Sequence, residues 1–181
     1  DIAASFCRDK SPVDEVRALL EEDTGYNPDI WQEIAELGWL GIGIPDTYGG
    51  IGLGLGEIVP IVEQMGRHLL TTPYVSTVLA AQSVWRGGTE AQQNEILPKL
   101  ASGTAATLGF CEDHGDWNLF HVSCKGSVTG DKLDLSGTKY LVSDVQEAAY
   151  MVATVAVDDQ ANLVIIPTDA LPPKAVRREK I

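Results

Sequence analysis

Through the first hundred positions apolar residues recur at three- and four-residue intervals, which is the spacing of helices with one buried face. Ser11-Pro12-x-Asp14 offers a hydroxyl cap, a proline at the first helical position and a first-turn acid, ahead of Val13, Val16 and Leu20 on one face. Asn27-Pro28-Asp29 repeats that signal before Ile30, Ile34 and Leu37, with Trp31 beside them and Gly38 placed to end the helix. A third helix is expected from about Gly56 to Gly66, with Ile58, Val62 and Met65 on one face. A fourth follows Thr72-Pro73 and runs to Trp85, where Gly87-Gly88 stops it. Thr89-Glu90-Ala91-Gln92 has capping-box spacing and opens a helix through Leu97 and Leu100 that ends at Ser102-Gly103. Between Gly41 and Gly54 glycines break both regular periods, which predicts a compact connecting loop.

From Thr104 the pattern changes to short, β-branched, turn-bounded runs: 104–111, 120–125, 132–135, 139–143, 150–157 and 162–167. Gly130-Asp131, Ser136-Gly137 and Asp158-Asp159 are the expected turns. Helices followed by strands, without alternation, predict an α+β chain: an all-helical N-terminal domain over residues 1–103 and an antiparallel β domain over 104–181.

Composition narrows the function classes. The 181 residues are 44% hydrophobic and carry a formal charge of −13. That is enough apolar material for a core, and a field that repels nucleic acid. No run approaches the ~18 consecutive apolar residues of a membrane span. Asp1 to Lys10 lack the charged start and apolar stretch of a secretory signal. Cys7, Cys111 and Cys124 form no Cys-x-x-Cys, which favours a reducing compartment over a disulfide framework. Because the chain begins at Asp1, an upstream targeting segment stays open, and with it a cytoplasmic or a mitochondrial location.

Common reaction motifs are missing. His68, His114 and His121 are scattered among the cysteines without metal-ligand spacing, so no metal site is expected. Gly50, Gly52, Gly54 and Gly56 alternate strictly, which defeats every Gly-x-Gly-x-x-Gly register. There is no Gly-x-Ser-x-Gly. Residue patterns alone therefore identify no reaction.

A family resemblance goes further. The run from Trp31 through Gly38-Trp39-Leu40-Gly41-Ile42-Gly43-Ile44-Pro45 is followed by Tyr48-Gly49-Gly50 and Val62-Glu63-Gln64-Met65-Gly66-Arg67. Thr72-Pro73, Gly88-Thr89-Glu90-x-Gln92 and Leu97-Pro98-x-Leu100-Ala101-x-Gly103 complete the ordered set. Together they resemble the N-terminal helical domain of acyl-CoA dehydrogenases. Leu135-Ser136-Gly137-x-Lys139, then Val142-Ser143-Asp144 and Ala148 to Ala153, are similar to part of the family's middle β domain. The resemblance implies an FAD-dependent oxidoreductase in which a carboxylate takes the α proton of an acyl-CoA thioester while the β hydrogen passes as hydride to FAD. An electron acceptor such as an electron-transfer flavoprotein, and a homo- or hetero-oligomer, are implied with it.

Residue by residue, the family's Gly-x-Lys-x-Trp-x-Thr pattern becomes Gly137-Thr138-Lys139-Tyr140-Leu141-Val142-Ser143. The resemblance implies that Ser143 sets a hydroxyl against flavin N5 and that Leu141 replaces an aromatic over the ring. Phe110 and Cys111 are implied to touch the flavin through backbone groups. Upstream the chain departs from the family: a Thr-Glu-Pro run followed by Gly-Ser-Asp is replaced by Cys111-Glu112-Asp113-His114-Gly115-Asp116-Trp117-Asn118, with Glu112 kept and Trp117 a candidate to stack or pack there. The family's catalytic base belongs to a C-terminal helical domain, and no residue here is assigned to it. Glu33, Glu36, Glu57 and Glu63 read as solvated or capping acids. Two rival functions stay open: a non-catalytic subunit of a hetero-oligomeric dehydrogenase, and an acyl-CoA oxidase.

Overall fold

The computed structural model describes residues 2–22, 24–113, 115, 116 and 118–178. Six helices precede the strands among them: α1 (Ile2–Lys10), α2 (Val13–Leu19), α3 (Pro28–Glu36), α4 (Val59–Arg67), α5 (Tyr74–Gly87) and α6 (Glu90–Ala101). The capping signals act as the sequence indicates in α3 and α6. The Asn27 side chain accepts a hydrogen bond from the Asp29 amide (2.9 Å), and Gly38, left-handed at φ 72°, lies just past the helix end. Around α6 the Thr89 hydroxyl accepts from the Gln92 amide (3.3 Å) while the Gln92 side chain accepts from the Thr89 amide (2.8 Å).

Two helical details differ from expectation. Pro12 rather than Ser11 occupies the cap position of α2 and makes no side-chain cap bond, and that helix buries no residue, leaving Val13 and Leu20 exposed. Helix α1 carries no strong start signal and small inward residues, yet it buries Ala3 and Cys7 and sets Phe6 edge-on to Trp39 at 5.1 Å. The glycine-rich loop is compact as expected, because its backbone pairs with itself: the amides of Ile51, Gly52 and Leu53 donate to the carbonyls of Gly41, Ile44 and Ile42, each at 2.8 Å. Gly50 is required there, since a Cβ would lie 2.0 Å from the Ile44 carbonyl oxygen.

The strands are β1 (Ala106–Gly109), β2 (Lys125–Thr129), β3 (Lys132–Ser136), β4 (Tyr150–Val157) and β5 (Gln160–Pro167). They form one mixed sheet, which corrects the antiparallel expectation. β1 runs parallel to β4 from Ala106↔Tyr150 to Gly109↔Ala153, and β2 runs parallel to the same strand at Lys125↔Ala156 and Gly126↔Val157. The antiparallel pairs are the hairpins β2–β3 and β4–β5. Gly130-Asp131 and Asp158-Asp159 make their two-residue turns, the latter with both residues left-handed at φ 50° and 59°, as a right-twisted hairpin requires. The expected strand at 139–143 is absent, because Leu141 (φ 51°) and Asp144 (φ 56°) turn the chain out of any ladder, and 120–124 is a connection leading into β2. Ser136-Gly137 closes no hairpin; Gly137 instead presses on Cys124, where a Cβ would meet the sulfur at 2.4 Å.

Two buried apolar clusters hold the chain. One joins α1, α3 and α4 to Trp39, Leu40, Ile42 and Tyr74. The other joins α5 and α6 to the sheet through Ala106 of β1 and Val152 of β4. At that seam the Thr77 hydroxyl of α5 accepts from the Ala106 amide (3.1 Å) and faces its carbonyl at 3.3 Å, and Trp31 Nε1 donates to the Gly103 carbonyl at 2.8 Å.

Candidate functional site

Because β1 and β2 lie end to end along one edge of β4, Thr154 and Val155 fall between their registers. The chain crosses that interval through residues 110–124, and a buried ion pair fills it. Lys139 Nζ donates to Glu112 Oε1 at 2.6 Å and to Thr154 Oγ1 at 2.8 Å. Glu112 also accepts from the amides of Ser123 (2.6 Å) and Cys124 (3.1 Å). The two charged side chains are 4% and 7% exposed. Burial alone would raise the Glu112 carboxyl, but the Lys139 ammonium and these two amides outweigh it and hold the group far below the usual carboxylate range. Burial and its bond to Glu112 push the Cys124 thiol up, so this cysteine is an inert structural thiol.

This plug ties together the two segments that carry the sequence-derived candidates. The Tyr140 amide donates to the Cys111 carbonyl at 2.9 Å, which sets Cys111 beside the 139–143 turn. Phe110 and Cys111 are half-buried, and the Cys111 sulfur faces the Glu112 carbonyl at 3.6 Å. Leu141 stands 78% exposed at its left-handed position. Ser143 is exposed, and its carbonyl accepts a short hydrogen bond from the Thr107 hydroxyl on β1. The next residue, Asp144, accepts from the Ser76 hydroxyl on α5 at 2.6 Å. Phe110 and Cys111 therefore follow directly on β1, and Leu141 and Ser143 sit in the turn laid alongside them.

Thr107, Ser76 and Asp144, which fix the Ser143 turn, have no local sequence signal, since each works with a partner far along the chain. Glu112 and Lys139 were visible only as separate family positions; their pairing is a product of the fold. The helical acids behave as solvated groups: Glu33 pairs with Lys10 (2.6 Å) and Glu63 with Arg67 (2.8 Å) on the surface, and Glu36 accepts from Gln32. Asp116 meets His121 at 3.0 Å, both of them exposed, while His114 and Trp117 lie outside the described residues. No group of three metal-ligating side chains occurs among the described residues, and none of their helices is long and apolar enough to cross a membrane. A groove of about 310 Å³ runs between α1, α2 and α3 past Lys10, Leu19 and Ile30, away from these turns.

The described elements thus form a helical layer joined through α5 to a mixed sheet. The sequence model of the acyl-CoA dehydrogenase N-terminal domain matches residues 1–104, and the chain belongs to the acyl-CoA dehydrogenase family. It is 30% identical over 134 residues to the mitochondrial isovaleryl-CoA dehydrogenase of Bos taurus, covering 72% of this chain and 32% of that enzyme. A variant of the Tcur3481-Tcur3483 steroid ACAD superposes with a TM-score of 0.85 at 29% identity, over 92% of this chain and 46% of that one. A glutaryl-CoA dehydrogenase from Mycobacterium smegmatis in complex with FADH2 shares the fold with a TM-score of 0.78 at 24% identity, over 92% of this chain and 45% of its own. The chain thus spans less than half the length of these relatives.

Proposed function

We propose that this chain supplies the helical domain (residues 1–103) and part of the β domain (104–181) of an FAD-dependent acyl-CoA dehydrogenase, a soluble enzyme of the cytoplasm or the mitochondrial matrix. The observation that carries the proposal is the Tyr140–Cys111 hydrogen bond, which sets Phe110 and Cys111 beside the turn that bears Leu141 and Ser143. These residues fit a flavin: an unmatched apolar side chain stands beside an exposed hydroxyl, and the turn backbones are fixed from behind by the Glu112–Lys139 plug. When bound, FAD supplies the hydride acceptor for oxidation of an acyl-CoA to its α,β-enoyl product.

In this reading each group has a limited task. Leu141 would lie against the ring and keep water from it. Ser143 would offer its hydroxyl to the ring as a hydrogen-bond partner. Phe110 and Cys111 border it with backbone amide and carbonyl, for which side-chain identity matters little. No residue of this chain is assigned as the base for the α proton, and the electron acceptor this reading implies is a carrier such as an electron-transfer flavoprotein.

The 181-residue chain alone is expected to show no turnover, since general-base catalysis typically contributes about 10²–10⁴ in rate. Anaerobic bleaching of the flavin by acyl-CoA in the intact protein tests the reading, and equal bleaching in the isolated 181-residue chain would contradict it. A second reading, a non-catalytic subunit of a hetero-oligomer, is favoured by the altered run from Cys111 to Asn118 and by a structural relative whose name joins two proteins. Co-purification with a distinct subunit that alone bleaches with acyl-CoA would select it. Oxygen consumption by the intact flavoprotein would select an oxidase.

A further inference from the structure

We propose that Ser76 and Asp144 are positioning residues for the flavin contact assigned to Ser143, a role that rests on the flavin reading above. Ser143 sits in a turn held partly by its own backbone and partly from other elements. Leu141 and Asp144, on either side, are left-handed at φ 51° and 56°, a conformation that side chains other than glycine adopt only when the surroundings impose it. Three sets of contacts impose it here. The Ser143 carbonyl accepts from Thr107 on β1, the Asp144 carbonyl accepts from the amides of Glu147 and Ala148 (3.1 Å each), and the Asp144 carboxyl reaches α5 through Ser76. Ser143 is thereby clamped between the sheet and the helical layer, and it remains an exposed residue.

The clamp on α5 responds to protonation. Ser76 Oγ lies 2.6 Å from Asp144 Oδ2 and 3.1 Å from the Pro73 carbonyl, yet its hydroxyl has one proton. With Asp144 ionised, that proton goes to the carboxylate and the bond to Pro73 is given up. With Asp144 protonated, the carboxyl donates to Ser76 Oγ, the Ser76 hydroxyl donates to Pro73, and both contacts are made. Burial raises the Asp144 carboxyl, and the Ser76 hydrogen bond only partly opposes it. Tyr26, on the connection between α2 and α3, faces both Asp144 and Glu147 of the same turn, and their charges push its hydroxyl up. Burial opposes the charge, but the Ser76 hydroxyl bonds the carboxylate more strongly than the neutral acid, so the clamp is tightest with Asp144 ionised and loosens as it is protonated.

The test is FAD affinity in the intact protein, read by flavin fluorescence across pH. Ser76→Ala and Asp144→Ala should each weaken FAD roughly threefold to tenfold, the range of one lost hydrogen bond. Asp144→Asn keeps an acceptor for Ser76 and tolerates the left-handed angle, so it should bind within about twofold of the parent. Parent affinity should fall as pH drops through the range, raised by burial, in which Asp144 takes up its proton, while Asp144→Asn should stay flat. Ser76→Ala added to Ser143→Ala should weaken FAD no further than Ser143→Ala alone, because the clamp acts through Ser143. A purely structural role would lower the melting midpoint without this coupling or this pH profile. If Ser143→Ala weakens FAD while Ser76→Ala and Asp144→Ala do not, or if Asp144→Asn keeps the parent's pH profile, the positioning role is overturned and the flavin reading stands. If Ser143→Ala changes nothing, the Ser143 contact and the clamp's role fall together. If the intact protein binds no FAD, the flavin reading itself fails.

Discussion

The helical layer and the turns past β1 are built on different physics. In the helices, the caps at Asn27 and Thr89 act within three residues, and the buried faces are continuous apolar clusters. In the turns, stability comes from polar contacts that span the sequence: Glu112 to Lys139, Thr107 to Ser143, Ser76 to Asp144. A cluster of many apolar contacts tolerates the loss of one by relaxing, whereas a buried charge that loses its partner has nothing to replace it. The turns are thus the more brittle region, even though they are the more exposed one.

The largest test of that contrast is the plug. Lys139→Met should cost about 3–5 kcal/mol in urea unfolding, because it strands the Glu112 carboxylate in the gap beside β4. Lys10→Met, which breaks the half-exposed pair with Glu33, should cost less than about 1 kcal/mol. The pH dependence has a definite sign. Since the Glu112 carboxyl is held below its ordinary value of 4.5, its contribution is fully present above that value and is lost as pH falls through the folded-state range. The acid limb of the melting midpoint should therefore flatten in a Glu112→Gln, Lys139→Met double variant. Equal costs for Lys139→Met and Lys10→Met would erase the distinction between the regions.

Next in size is the shared core. Leu97, fully buried beside Ala106 and Val152, should cost about 2–5 kcal/mol when changed to Ala. Since this cluster joins α5 and α6 to the sheet, helical ellipticity and the fluorescence of Trp85, which packs against it, should report one common transition. Separate transitions would show the helical region up to Gly103 melting on its own. In that case limited proteolysis near Gly103 should release a stable helical fragment of about a hundred residues.

The same contrast explains what could be read in advance. The starts of α3 and α6, the end of α3 at Gly38 and the two hairpin turns depend on residues adjacent in sequence, so their residue types announce them. β4 was legible from Tyr150 to Val157 because a strand buried along its length is a continuous apolar run. The parallel placement of β1 and β2 on one edge of β4 was not legible, since strand direction depends on the route taken by residues 110–124 and 137–149, which lack periodicity. The turn at 139–143 resembled a strand because nothing local marks Leu141 or Asp144 as left-handed. Of the candidate site, the family resemblance supplied Phe110, Cys111, Leu141 and Ser143; the residues that hold them, Thr107, Ser76 and the Glu112–Lys139 pair, became visible only with the fold.

Smaller effects should follow the local rules. Thr89→Ala removes one half of the capping box of α6 and should cost about 1 kcal/mol, with Thr89→Ser recovering most of it. Flavin content should not change, because this cap makes no contact with the turns past β1. A loss of FAD in Thr89→Ala comparable to that in Ser143→Ala would mean the helical layer and the site are coupled more tightly than their contacts indicate.

The smallest predicted change is a gain. Asp158 and Asp159 place two like charges at a turn whose angles, φ 50° and 59°, disfavour residues with a Cβ. Glycine at the second position removes a left-handed cost of about 1–2 kcal/mol and one of the two charges. Against this stands the greater chain entropy that glycine loses on folding, about 0.5–1 kcal/mol. Asp159→Gly should therefore stabilise the β4–β5 hairpin by about 0.5 kcal/mol, seen as a small rise in the urea midpoint at unchanged slope. Asp169→Gly, outside the hairpin turn, should bring no such gain. If Asp159→Gly is destabilising, the turn is held by its neighbours rather than by its own backbone preference, and the hairpin would join the turns past β1 as a part of the sheet region governed by distant contacts.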